Sequence, residues 1–255
     1  MARRKTYLQN AALLTACGLV LRVLGMGFRV VLSAYLGSEG MGLYQLILAV
    51  YMVFVSLATA GINVASARLA AQSLARGRGM AATLHDLCGT ALLFGCMAMM
   101  LQVLLAEPAA RFLLHDTRAI LALQILAPSL PFMAAAGAVR GCFLAARRVH
   151  PNVIAQLIEQ LVRMAIAIAA LRALARWGAG YGCTAVVLGN TISEGVSCAL
   201  MLAFAAKTPA FARRRDEPLQ PYTQKELYAI VLPVEGSRLL ASGLQAVESS
   251  LIPYT

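Results

Sequence analysis

Long apolar runs separated by short polar breaks organise the chain, and the breaks fall at Gly, Pro and charged positions. The runs lie near residues 8–36, 41–74, 80–106, 118–146, 151–175, 180–206 and 224–252. Each exceeds the roughly 20 residues that an α-helix needs to cross a hydrocarbon core. The pattern predicts seven transmembrane helices, several long enough to tilt or to extend past the headgroups. Pro128 and Pro131 predict a kink in the fourth, because proline removes a backbone donor and crowds the preceding turn.

Polar residues inside these runs recur at helical spacing. At about 100° per residue, Thr15, Gly18, Arg22, Gly25, Arg29 and Ser33 share an arc of about 80° on the first span. Arg22 lies near the middle of that span, out of reach of either interface, and Arg29 is two turns nearer the outer end. Two intramembrane arginines cost about 5–7 kcal/mol on insertion scales, a sum that the span's Leu, Val and Phe residues return almost in full. An anchor gains nothing from that penalty, so the stripe predicts a cationic site. The bland alternative pairs both arginines with carboxylates on other helices.

The fifth span repeats the pattern with Asn152, Gln156, Glu159 and Arg163, where Glu159 stands one turn before Arg163. An internal ion pair that neutralises itself is expected there, with cavity lining as its functional use. The second span aligns Gln45, Ser56, Thr59 and Asn63, the sixth Asn190, Glu194 and Ser197, and the seventh Glu235, Arg238, Ser242, Gln245 and Ser249. The fourth contributes Arg140. These faces predict a wet cavity walled by spans one, two, five, six and seven. The third span, with little beyond Gln102, is expected to face lipid. Gly25, Gly61, Gly137 and Gly141 are expected to let helices approach closely.

The connections fix an orientation. Arg3, Arg4 and Lys5, then Arg76 and Arg78, then Arg147 and Arg148, then Lys207 with Arg213, Arg214 and Arg215 alternate with connections of small positive excess, as the positive-inside rule requires. The N-terminus is expected in the cytoplasm. Two arginines within the first apolar run argue against a cleaved signal peptide.

Composition agrees: 60% of the 255 residues are hydrophobic and 13% charged, too little polar surface to cover a soluble globule. The net charge of +11 is accounted for by the loop clusters, and no basic-aromatic surface points to nucleic acid. Six cysteines lie in apolar stretches without metal-ligand spacing and read as small hydrophobes. No phosphate loop, no HExxH and no nucleophile spaced from His85, His115 or His150 indicates an enzyme, and neither a metal nor a cofactor is expected. Buried arginines without catalytic groups suit the passage of an anionic headgroup, since a guanidinium binds phosphate oxygens in pairs. Residues 207–223 form a polar linker between six spans and a seventh, and the ending Ser249–Thr255, without a charged tail, is expected of a truncated chain.

Specific residues carry a family resemblance: Arg22-Val23-Leu24-Gly25 with Arg29, the stretch Gly37 to Gln45, Pro128-Ser129-Leu130-Pro131, Arg140-Gly141-Cys142-Phe143, Pro151-Asn152, Gln156 to Arg163, Leu232-Pro233 and Gly236-Ser237-Arg238. In order and spacing the chain resembles the stage V sporulation protein B branch of the MOP flippase superfamily, the polysaccharide biosynthesis proteins. The resemblance implies an all-α integral membrane protein of the bacterial plasma membrane. Residues 1–206 would be a six-helix N-lobe, 207–223 a cytoplasmic linker, and 224–255 a seventh helix that starts a second lobe. It implies alternating access between two pseudosymmetric lobes, as in MATE-like carriers, with a polyprenyl-diphosphate-linked glycan, the bilayer and the rest of the same protein as partners. Arg22 and Arg29 map onto arginines that bind the diphosphate in related flippases. Arg238, Asn63, Glu159 and Arg163 complete the expected substrate-binding set. A MATE-type exporter of organic cations and a non-transporting scaffold for cell-wall enzymes are the competing readings.

Overall fold

The computed structural model describes residues 2–75, 80–174 and 179–211, together with Pro233, Gly236 and Ser237. Residues 2–36 (α1) and 38–75 (α2) follow one another through Gly37, whose φ of 66° and ψ of −173° interrupt the helix at that residue alone. The loop expected at 37–40 is thus a one-residue kink. Only glycine enters this backbone region without a clash between Cβ and carbonyl oxygen. α3 (Met80–Pro108) continues into a wide π-helical turn, Ala109–Leu113. α4 (Ala119–Ala145), α5 (His150–Leu174) and α6 (Ala179–Lys207) follow. Six spans therefore match the first six predicted, and Pro233, Gly236 and Ser237 of the seventh are helical. Arg238 lies outside the described residues.

α4 is broken, as its prolines predict, into Ala119–Leu126 and Ser129–Ala145. Inside a bilayer no water can satisfy the carbonyls that such a break exposes, so protein groups must. Four side chains gather at it. Gln102 Nε2 donates to the Leu123 carbonyl at 2.7 Å, Thr191 Oγ1 to Ile125 at 2.8 Å, and Ser129 Oγ to Leu126 at 2.5 Å. The Tyr51 hydroxyl meets Ser129 Oγ at 2.6 Å. Gln102 is fully buried against α4, so α3 does not turn its one central polar residue to lipid.

Close backbone approaches hold the bundle. A Cβ on Gly95 would lie 2.6 Å from Pro131 Cα, and one on Gly141 would collide with Ser66 and stand 3.0 Å from Ala67 N. The first contact joins α3 to α4 and the second α2 to α4. α5 and α6 pack along each other, with Gly189 against the Ala167 backbone. The apolar interior falls into two clusters. One gathers the half nearer Gly37, including Phe28, Ile47, Leu123, Leu171 and Val186; the other gathers the opposite half, including Ile62, Leu87, Phe143, Ala155 and Met201.

At the Gly37 end, Arg118 ties three segments together. Its Nη1 donates to Glu39 Oε1 at 2.8 Å, its Nη2 to Asp116 Oδ2 at 2.7 Å, and its stem covers Gly180 at the start of α6. The guanidinium hydrogen bonds hold the Asp116 carboxyl below the usual carboxylate range.

Candidate functional site

Between the two apolar clusters lies a polar layer. On α5, Glu159 and Arg163 fall between Ala155, which packs in one cluster, and Ala167, which packs in the other. On α6, Asn190 to Ser197 fall likewise between Val187 and Cys198. Glu194 is about 21 Å along its helix from the Gly180 end, the same depth as Arg22 below Leu36, at about 1.5 Å per residue. Arg22 and Glu194 thus stand at one level, while by the same rise Arg29 is about 10 Å nearer the Gly37 end and Asn63 about 39 Å from it.

The layer contains an alternating ion chain. Arg140 Nη2 donates to Glu159 Oε2 at 2.6 Å and to Ser197 Oγ at 2.6 Å. Arg163 Nη2 donates to Glu159 Oε1 at 2.7 Å and to Glu194 Oε1 at 3.1 Å. The same guanidinium reaches Ser193 Oγ through Nε and Gln160 Oε1 through Nη1, both at 3.3 Å. Asn152 Nδ2 donates to the Arg140 carbonyl at 3.2 Å. Two guanidinium groups and two carboxylates on α4, α5 and α6 make a formally neutral set. Removing one member would strand a buried charge, at a cost of about 3–5 kcal/mol.

The expected Glu159–Arg163 pair is present as the centre of this chain. Its ends, Arg140 and Glu194, were each visible as polar positions on their own spans. Their convergence was not, because a helical face specifies which side is polar and not which neighbour it meets.

Arg22 and Arg29 behave differently. Both are exposed, and neither makes an ion pair or hydrogen bond among the described residues. α1 packs inward through Cys17, Phe28 and Leu32 and exposes Leu19, Val23, Met26 and Val30. The arginine stripe lies on a third face, about 80–100° from each of these at 100° per residue. Structural pairing to carboxylates, the bland alternative, finds no partner among the described residues. Asn63 is exposed on α2 with its Oδ1 over Gly137, where a Cβ would come within 2.6 Å. Thus Arg22, Arg29 and Asn63 are exposed and uncommitted among the described residues, Glu159 and Arg163 are bound into the ion chain, and Arg238 is outside the described residues.

A helical bundle of this kind has counterparts among solved transporters. An outward-facing multidrug resistance MATE family transporter of the MOP superfamily superposes with TM-score 0.67 at 16% identity, over 90% of this chain and 52% of that one. MATE in complex with Br-NRF gives TM-score 0.68 at 16% identity, over 97% and 58%. The protein is therefore a multi-pass α-helical membrane protein with a MATE-like fold. The family model for polysaccharide biosynthesis proteins matches residues 7–250, and the chain belongs to that family. Stage V sporulation protein B of Bacillus subtilis (strain 168) is 27% identical over 248 residues, which cover 94% of this chain and 47% of the relative. The chain spans about half the length of the relatives it matches.

Proposed function

We propose that this chain is the N-lobe, with the first helix of a second lobe, of a flippase that carries a polyprenyl-diphosphate-linked glycan precursor across the bacterial plasma membrane by alternating access. In this reading residues 1–206 form the lobe, 207–223 a cytoplasmic linker and 224–255 the seventh helix, with the N-terminus cytoplasmic. The protein moves its substrate without chemical change. One observation carries the reading: among the described residues Arg22 and Arg29 have no partner, and both are exposed on α1 between its packed side and its exposed apolar side. An anion that brings its own lipid tail offsets the cost of holding such charge in the membrane, and a diphosphate accepts paired N–H bonds from arginine. Asn63 and Arg238 are further contacts in this reading, and Glu159 and Arg163 line the wall.

A MATE-type exporter of organic cations requires uncompensated acidic groups. Glu159 and Glu194, the carboxylates at the waist, are both engaged by arginine; Asp86, near the start of α3, keeps a buried Oδ2 without a partner among the described residues, but it lies more than two turns from the middle of its span.

The test uses a two-lobed protein carrying this chain, reconstituted in proteoliposomes. Arg22→Ala should reduce movement of a fluorescent polyprenyl-diphosphate glycan by at least about tenfold, the scale of one lost charge-assisted contact, while Arg22→Lys retains part of it. Unchanged movement in Arg22→Ala, or transport of an organic cation in its place, would remove the proposal.

A further inference from the structure

The ion chain has a layered exposure. The side chains of Arg140 and Arg163 are 24% and 23% exposed, whereas Glu159 is 13% and Glu194 only 2% exposed. The cations lie outermost and the carboxylates lie beneath them. Arg163 is nearly saturated, with Nε, Nη1 and Nη2 all directed to acceptors on its own helix or α6. Arg140 is drawn down by one nitrogen, while its Nε is buried without a partner. Glu194 Oε2 also lacks a partner. A minimal structural pairing would match each buried charge with a full set of hydrogen bonds; this one spends both carboxylates on holding two guanidinium groups and leaves polar atoms at its ends unsatisfied.

The geometry points to Glu159 and Glu194 as specificity-determining positioning residues: they withhold Arg140 and Arg163 from the anion, which is left to Arg22, Arg29 and the further contacts named above. The inference rests on the diphosphate reading above. Its physical content is a charge count at the polar waist. With the carboxylates in place, the described residues offer two uncommitted cations, Arg22 at this level and Arg29 two turns nearer Gly37. Without one carboxylate they offer more, because a guanidinium released from below is already near the surface of the wall. A more cationic waist binds the diphosphate more tightly and lets it go more slowly, whereas carriers turn over fastest when the bound state is not too deep. Selectivity follows from the same count, since a wall with four free guanidinium groups would also hold soluble polyanions that lack a lipid tail.

The experiment measures binding of a short-chain polyprenyl diphosphate to the two-lobed protein in nanodiscs, with the matching polyprenol and inorganic diphosphate as controls, beside transport in proteoliposomes. Glu159→Gln should bind the polyprenyl diphosphate several-fold to about tenfold more tightly, the scale of an added charge-assisted hydrogen bond. It should also bind inorganic diphosphate measurably and show a lower maximal transport rate. The double variant Glu159→Gln/Arg140→Met, which removes the released cation, should return affinity toward wild type. A purely structural brace would give weaker or unchanged binding in Glu159→Gln, whatever the fall in unfolding temperature, and that result overturns the inference. If Glu159→Gln does not fold, Glu194→Gln is measured in its place; because Arg163 keeps Glu159, Ser193 and Gln160, its tightening should be smaller but in the same direction, and weaker or unchanged binding overturns the inference. The two readings fail separately: Arg22→Ala and Arg29→Ala without effect on polyprenyl diphosphate binding defeat the proposed function. Loss of binding in those variants with no tightening in Glu159→Gln or Glu194→Gln defeats only the withholding role.

Discussion

A single backbone angle separates α1 from α2. At φ 66° Gly37 pays no Cβ penalty, whereas any L-residue there costs about 1–2 kcal/mol. Gly37→Ala should therefore lower the detergent unfolding temperature, even though no atom lies within 4 Å of the added methyl group. Gly25 provides the contrast. It was expected to admit a close neighbour, yet it too faces open space, at an ordinary helical position. Gly25→Ala should be neutral or stabilising by up to about 1 kcal/mol, the helix-propensity difference. Two glycines with equal space but different φ thus predict opposite shifts. Titration of the Arg118 clamp is also a single-residue matter. Because the folded-state pKa of Asp116 is depressed, its contribution is fully present above the unfolded carboxylate value and is lost as pH falls through the lower folded one. Hydrogen exchange at residues 114–118 should stay slow through mildly acidic pH and accelerate only in stronger acid; in Arg118→Gln that onset should move to higher pH.

At the level of elements, α4 shows what a sequence reveals about a helix and what it does not. Its break was legible, since Pro128 and Pro131 each remove a donor. The repair was not, because the side chains that satisfy the exposed carbonyls come from α2, α3 and α6. Gln102 illustrates the difficulty: one glutamine in an apolar run looks tolerable at a lipid surface, yet it is fully buried and donates to Leu123. Gln102→Leu should destabilise the bundle by about 1 kcal/mol, a usual value for an interhelical hydrogen bond in a membrane. The effect should shrink in a Pro128→Ala background, where the helix can satisfy more of its own carbonyls. A thermal double-mutant cycle measures that coupling. Close approach was read correctly at Gly141, where an added methyl group collides with Ser66. Gly141→Ala should cost about 1–3 kcal/mol as overpacking between α2 and α4.

For the whole molecule, the period and the first six spans were legible because a bilayer imposes length and apolarity on every crossing, and one chain is enough to show both. The ion chain was legible only in pieces, since Arg140, Glu159, Arg163 and Glu194 lie on three helices whose mutual rotation no single run specifies. Orientation is a whole-molecule property that the bundle itself leaves open, because the fold is the same whichever side its loops face. The charge pattern supplies it. Arg147 and Arg148 follow α4 at one end of the bundle, while Glu39, Asp116 and Arg118 gather at the other, where one cation faces two carboxylates. The basic end should remain in the cytoplasm. Single cysteines placed at Glu39 and at Arg148, in a background with the six native cysteines replaced, give a direct readout in intact cells. A membrane-impermeant maleimide should label Glu39→Cys from outside and label Arg148→Cys only after permeabilisation. Labelling in the reverse order would invert the bundle. Arg22, about 21 Å from the Gly37 end by helical rise, stays near the middle of its span in either orientation, so the labelling decides which side the loops face and leaves the depth of the arginine site unchanged.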